Sequence, residues 1–258
     1  ALAVFPAGSA FLSNDKPGVD HLAFATKNAE EAASLFIDDA KHSSGINGMR
    51  QFEVPEELTQ GVFSRFTPMT DLQGNSTEFV ERMDHIGIAS NNNIIAESIF
   101  AGKLGLPIES RQTDMEVKVS MESFTSDKYG VIYKTRPPET MGGLRVSFIT
   151  IGDTELEFLE NFNDQHHAEI AHGTPGNTKQ DQGAITKYVD KYGPGLHHLA
   201  FKTPDINQTL KHLEKHNFRL IDMIGREGSR RSLIGFIHPA STGGVLIHFV
   251  EREEVTDA

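Results

Sequence analysis

The chain has no cysteine, which removes disulfides, zinc–thiolate sites and cysteine nucleophiles from consideration. Basic charge is scarce: 24 Lys and Arg stand against 36 Asp and Glu, a formal net charge of -12. Nucleic acid needs a basic footprint, so no nucleic-acid partner is expected, although a local basic patch for a phosphorylated ligand is compatible with this balance. No run approaches the roughly 18 apolar residues of a membrane span, so no membrane partner is expected either. Residues 1–12 are mildly apolar but lack the basic n-region of a secretory signal, and a cytoplasmic protein is the expectation. What remains is a globular composition, 38% hydrophobic and 23% charged over 258 residues. That is enough chain for one large domain or two small ones, with a sizeable core.

What the chain does have is a repeat. His21-Leu22-Ala23-Phe24, His85-Ile86-Gly87-Ile88 and His198-Leu199-Ala200-Phe201 are versions of one strand. Glu78-Phe79-Val80-Glu81-Arg82, Glu157-Phe158-Leu159-Glu160-Asn161 and Ile247-His248-Phe249-Val250-Glu251-Arg252 are versions of another. Internal repeats come first in reading a fold. Helical spacing follows each opening strand, with Asn28 and Glu31, a cap within 91–93, and Asp205 with Gln208 as start signals. Residues 115–124 and 130–134 alternate like a hairpin. The expected class is α+β: repeated βαβββ units forming curved mixed sheets with helices outside. Residues 1–82 read as a lead segment plus a degenerate unit closing on 77–82, and 83–161 as the second unit. Residues 162–195 read as a linker with a short helix over 184–192, stopped by Gly193-Pro194-Gly195. Residues 196–258 read as a third unit pairing with the second, its strands at 218–221, 232–237 and 244–251.

The repeat places candidate ligands. In each opening strand the histidine shares its face with small residues, Ala23, Gly87 or Ala200, while bulky residues take the other face. A ligand-binding face needs such room. On the closing strands Glu78, Glu157 and His248 stand at equivalent places, and a repeated acid between apolar neighbours is costly to bury without a partner. Units two and three together offer His85, Glu157, His198 and His248. Three imidazoles and a carboxylate suit Zn, Ni, Co, Mn or Fe(II) rather than Ca or Mg. Strand alternation turns His197 to the other face. His166, His167 and His172 read as surface residues of the linker, and His238 is equally compatible with the cup or a strand end.

These motifs resemble the vicinal oxygen chelate superfamily of glyoxalases and dioxygenases, and within it most closely the methylmalonyl-CoA epimerases. The resemblance covers 83–161 and 184–252. It is carried by Met83-Asp84-His85-Ile86-Gly87-Ile88-Ala89, Gly152-Asp153-Thr154-Glu155-Leu156-Glu157, Gly195-Leu196-His197-His198-Leu199-Ala200-Phe201 and Phe236-Ile237-His238-Pro239. It implies a divalent metal in a U-shaped sheet, chelating two oxygens of a small-molecule substrate. His85 and His198 match the family's histidine ligands, and Glu157 falls on the strand position of the third. His248 departs, standing where the family has a glutamate, and a metal-bound imidazole is a poor base. The implied activity is isomerase, epimerase or lyase chemistry on a small carbonyl or acyl-thioester through a metal-stabilised enolate, with Glu157 and His248 as the catalytic candidates. If a proton is transferred, Glu157 leaving the metal or an acid of the expected hairpin, Glu116 or Glu122, is the candidate to carry it. The alternatives are an Fe(II)-dependent dioxygenase and a non-catalytic ligand-binding or resistance protein on the same scaffold. Arg226, Arg230 and Arg231 form a basic run suited to an anionic substrate. The odd first unit, with His21 and Glu78, implies a homodimer that covers its edge and offers a second metal position there.

Overall fold

The computed structural model describes residues 18–70, 76–162 and 183–253, together with Leu2, Val4, Ser9 and Leu12. Three βαβββ units follow one another. The first comprises β1 (Leu22–Thr26), α1 (Ala29–Ser34), β2 (His42–Ser44), β3 (Arg50–Val54) and β4 (Ser64–Pro68). The second comprises β5 (Arg82–Ala89), α2 (Asn93–Glu97, running on as a π-turn through Ser98–Lys103), β6 (Ile108–Lys118), β9 (Glu139–Ile151) and β10 (Thr154–Phe162), with a hairpin of β7 (Met121–Ser126) and β8 (Gly130–Thr135) inserted. After α3 (Ala184–Tyr192) the third comprises β11 (Gly195–Lys202), α4 (Ile206–Lys215), β12 (Arg226–Glu227), β13 (Leu233–Ile237) and β14 (Leu246–Glu251).

The helix starts are where side-chain oxygens can satisfy free backbone N–H groups. Asn28 accepts from Glu31 N, Asn92 from Ile94 N and Ile95 N, and Asp205 from Gln208 N. Each unit orders its strands first-fourth-third-second. Units two and three merge into one eight-stranded sheet, β12-β13-β14-β11-β5-β10-β9-β6, while unit one forms its own four-stranded sheet, β1-β4-β3-β2. The seam is the antiparallel pair β5–β11, symmetric about Ile86 opposite Leu199.

One face of every opening strand feeds a common core. Ile86, Ile88, Leu156, Phe158 and Leu199 pack beneath Ala96 and Phe100, and the first unit adds Phe24, Ala33, Phe52 and Phe66 to the same cluster. Phe24 stacks on Phe66 at 5.6 Å and reaches Phe100 at 6.2 Å. Unit one therefore packs its own helix-side face against the helix side of the larger sheet. That leaves the opposite face, the concave one, of both sheets for other uses.

Several expectations shift. The first unit closes on β4, not on 77–82, of which 77–81 form a loop and Arg82 opens β5. Glu78 is exposed in that loop, and its resemblance to the Glu157 segment reflects local composition only; neighbouring Val80 simply packs against the α4 cluster. The expected strand at 218–221 is reduced to a single bridge, Leu220 to Ile237, and β12 takes the edge instead. The hairpin forms from β7 and β8 as a separate two-stranded sheet, whereas β6 extends the main sheet. Residues 163–182, with His166, His167 and His172, lie outside the described residues, as does the side chain of Glu116.

Candidate metal centre

Register explains why four side chains meet. Gly87 lies beside Glu157 and opposite His198, while Ala200 lies beside His248 and opposite His85. Each unit thus lends a histidine from its first strand and a donor from its last, on the concave face. All four are buried: His85 is 5% exposed, Glu157 3%, His198 5% and His248 4%. Nε2 of His85 is 3.1 Å from Nε2 of His248 and 3.3 Å from Nε2 of His198. Oε2 of Glu157 lies 3.3 Å from Nε2 of His85 and 3.2 Å from Nε2 of His198. Donors bound about 2.1 Å from one transition-metal ion stand about 3.0–3.4 Å apart, so the spacing and the donor chemistry both fit such an ion. Room for this convergence comes from Gly87, where a Cβ would fall 2.0 Å from Cε1 of His198.

The imidazoles are oriented from behind. Nδ1 of His85 meets Asp84 Oδ2 at 2.9 Å, and Asp84 in turn binds Arg252 at 3.1 Å. Such a carboxylate fixes the tautomer that presents Nε2 to a metal. Nδ1 of His198 lies 3.0 Å from Nδ1 of His197. His197 was expected on the far face; the register shift between Leu196 and His198 is a bulge that breaks the alternation and turns it into the cavity. Nδ1 of His248 is buried with no hydrogen-bond partner among the described residues.

Electrostatics follow from burial. For His85 burial favours the neutral ring, but Glu157 and Asp84 outweigh it and raise its pKa to about 9. Burial also opposes the charge of Glu157, yet His85 and His198 hold it well below the usual carboxylate range. Burial, with His198 and His85 nearby, keeps His248 well below its ordinary value. His197 is lowered to about 3 by burial and by His198, so it is neutral at pH 7.

The four donors line a cavity of about 630 Å³. Leu144, Phe148, Leu159, Ile185 and Phe236 form its apolar wall, with α3 contributing Ile185. Arg226 and Arg230 also line it, whereas Arg231 is exposed. Arg226 is bound to Asp222 at 3.1 Å, and Arg230 pairs with Glu155 and Glu109 while its guanidinium lies 3.7 Å from the Phe148 ring centroid. Asp114 on β6, held by Gln112 at 3.0 Å, is a lining carboxylate that the sequence reading passed over. Its signal was the alternation of Gln112 and Asp114 on one strand face. Glu122 pairs with Arg136 on the exposed hairpin and does not line the cavity. His238 ends its strand, accepting from Ala240 N at 3.1 Å.

The first unit presents a different set. Ala23 lies beside Arg65 as Gly87 lies beside Glu157 and Ala200 beside His248. A guanidinium therefore takes the donor position. Arg65 is 4% exposed, 3.4 Å from Glu53 and 3.4 Å from Nε2 of His21, whose Nδ1 meets Asp20 at 2.7 Å. Burial, helped by Arg65, lowers the pKa of His21 against the pull of Asp20. A tethered cation here does not suit a second metal.

Paired βαβββ units with clustered donors on the concave face define a vicinal oxygen chelate architecture, and the comparisons agree. The model of the Glyoxalase/Bleomycin resistance protein/Dioxygenase superfamily matches residues 84–236, more than half of the chain, and the chain belongs to that superfamily. Among individual proteins it is similar to the uncharacterized protein YqjC of Bacillus subtilis (strain 168), 27% identical over 172 residues, 67% of this chain and 93% of that protein. It is also similar to the mitochondrial methylmalonyl-CoA epimerase of Dictyostelium discoideum, 26% identical over 111 residues, 43% of this chain and 57% of that protein. The crystal structure of methylmalonyl-CoA epimerase from Mycobacterium tuberculosis aligns with a TM-score of 0.46 at 22% identity, covering 71% of this chain and 95% of that one. No helix among the described residues is long and apolar enough to cross a membrane.

Proposed function

We propose that His85, Glu157, His198 and His248 hold one divalent transition metal, Zn, Ni, Co, Mn or Fe(II), and that the protein is an isomerase moving a proton on the carbon next to a carbonyl. The observation that carries the reading is the convergence of four buried donors, at coordination spacing, on the wall of a cavity. When bound, the ion supplies Lewis-acid stabilisation of negative charge on the substrate carbonyl oxygen. The residues do the rest. Phe148, Leu144 and Phe236 exclude water beside the donors. Glu157 Oε2 and His248 Nε2 converge with the imidazole nitrogens of His85 and His198, so these two residues would serve as ligands rather than bases. Asp114 and Glu227 are the remaining lining carboxylates, and the half-buried Asp114 rather than the exposed Glu227 takes the proton. Similarity to a methylmalonyl-CoA epimerase supports a small acyl-thioester or related carbonyl compound as the substrate class.

The test has two readouts. Elemental analysis of protein purified without added metal is expected to find one equivalent of a transition metal per chain. Incubation with acyl-thioesters and 2-oxo compounds in D2O is expected to place deuterium next to the carbonyl, and chelation should abolish this. Asp114→Asn should slow exchange by about 100-fold or more, the usual contribution of a general base, with metal content unchanged. Oxygen consumption without exchange would turn the assignment to a dioxygenase. Protein without metal, whose ligand binding is unaffected by His85→Ala, would leave only a binding protein.

A further inference from the structure

In every unit the residue before the repeated histidine meets that histidine at Nδ1. Asp20 Oδ2 lies 2.7 Å from Nδ1 of His21 and Asp84 Oδ2 lies 2.9 Å from Nδ1 of His85, while Nδ1 of His197 lies 3.0 Å from Nδ1 of His198. The third unit thus has an imidazole where the first two have a carboxylate. An ionised carboxylate only accepts, so it has no proton to present elsewhere. A neutral imidazole that accepts at Nδ1 carries its one proton at Nε2, and its far end is a donor.

Placement makes that donor available. Asp84 does not line the cavity of the four donors, whereas His197 does, because the bulge between Leu196 and His198 turns it there. Bulges re-aim side chains in this way beside functional sites. Tyr188 of α3 meets the His197 ring edge-on at 5.0 Å and 83°, and its own hydroxyl is fixed by donating to the Leu196 carbonyl at 2.6 Å. The ring is therefore held by both His198 and Tyr188. Nε2 of His197 has no hydrogen-bond partner among the described residues, yet it is not sealed from solvent as Nδ1 of His248 is. It is the free polar end of a fixed ring.

We propose that His197 is a catalytic hydrogen-bond donor, its Nε2–H directed at the substrate oxygen on which negative charge develops. This deepens the isomerase reading above and rests on it. With Nε2 of His198 acting as a metal ligand, the proton of that ring sits on Nδ1. Only one of two Nδ1 atoms 3.0 Å apart can carry a proton between them. His198 therefore donates, His197 accepts, and the proton of His197 is fixed at Nε2. A neutral donor in this partly closed site strengthens its bond as the oxygen gains charge, without giving the proton away. It also sets a preference among substrates, because a hydrocarbon group placed against Nε2 would leave the N–H unpaired.

Two amide substitutions separate the two ring nitrogens, since the Asn amide falls near Nδ1 of a histidine and the Gln amide near Nε2. His197→Asn keeps an acceptor for His198 and has nothing at the cavity end. His197→Gln keeps a donor at the cavity end and gives up the acceptor. Zinc affinity of the full chain, read by competition with a chromophoric chelator, should stay within about threefold for His197→Asn and fall by about 10- to 100-fold for His197→Gln. At saturating zinc, kcat for deuterium exchange should fall by about 100-fold in His197→Asn, the usual effect of losing one such donor, and His197→Gln should recover part of that loss. Nitrogen NMR of the zinc-loaded, 15N-histidine-labelled protein should show the Nε2–H tautomer for the ring whose signals vanish in His197→Asn. An Nδ1–H tautomer there overturns the proposal, and so does a His197→Asn variant that exchanges as fast as the parent. Zinc uptake without exchange on any compound counts against the isomerase reading instead, and the tautomer then still upholds or overturns the donor.

Discussion

Asp84 does not line the cavity of the four donors, yet it holds the imidazole of His85 from behind at 2.9 Å and is itself held by Arg252. Burial works against its charge, and His85, Arg252 and Arg82 more than compensate, keeping its pKa low. Asp84→Asn keeps the shape and removes the charge that orients and enriches His85. Metal affinity should fall by about 10- to 100-fold, read by competition with a chromophoric chelator, while the circular dichroism spectrum stays the same. This residue was legible in hindsight, because Asp20-His21 repeats Asp84-His85. His197 was not. Alternation is a rule for regular strands, and a single inserted residue between Leu196 and His198 reverses it without leaving a mark in the local pattern. The residues His85, Glu157, His198 and His248 were legible because each has a repeat-equivalent partner; Asp114 has none.

At the scale of elements, the second and third units carry a pattern that pairing constrains twice, and the first does not. Pairing explains the difference. The second and third units carry the same small-residue and histidine pattern on strands that face each other, so two constraints act on each position. The closing strand of the first unit offers His21 a guanidinium instead of a donor, and Arg65 and Glu53 stand where Glu157 and Phe148 stand in the second. With the chemistry changed, the motif near 78–82 was mistaken for it. How this unit docks is set by Gly61, in the left-handed region at φ 79°, where an added Cβ would meet the Pro194 carbonyl oxygen at 1.7 Å. Gly61→Ala combines a backbone penalty with a collision against backbone that cannot rotate away. It should cost about 2 kcal/mol or more, read as a lower denaturant midpoint. The exchange reaction per folded molecule should hold, because no donor lies in the first unit.

For the molecule as a whole, an ion held by the four donors as proposed would also be a reservoir of stability. A ligand that binds only the folded chain adds about 2.7 kcal/mol at 100 times its dissociation constant, so chelation should lower the melting temperature at pH 7. The pH dependence of the chelated protein has a definite sign. His85 is raised from 6.5 to about 9 on folding, so its proton stabilises the folded state fully below 6.5 and progressively less as pH climbs through 9. Between these values the chelated protein should lose thermal stability, read by calorimetry. The metal-loaded protein should not, since the ion replaces that proton and binds more tightly as pH rises. A chelated protein that gains stability across this window would contradict the assigned role of Glu157 and Asp84.

The four donors are also far apart along the chain. His85 reaches its partners across 113 residues to His198 and 163 to His248. Contacts of such range form late, because the intervening chain must be ordered first. During synthesis the first unit and β5 emerge before β11 and β14 exist. Phe24, Phe66 and Ile86 can bury themselves early, but the four-donor set is complete only once β14 has left the ribosome. If the four donors hold an ion as proposed, its full coordination follows the synthesis of β14. A ribosome-bound chain lacking β14 should be folded in its first half and unable to take up metal, which makes the final strand a checkpoint for maturation.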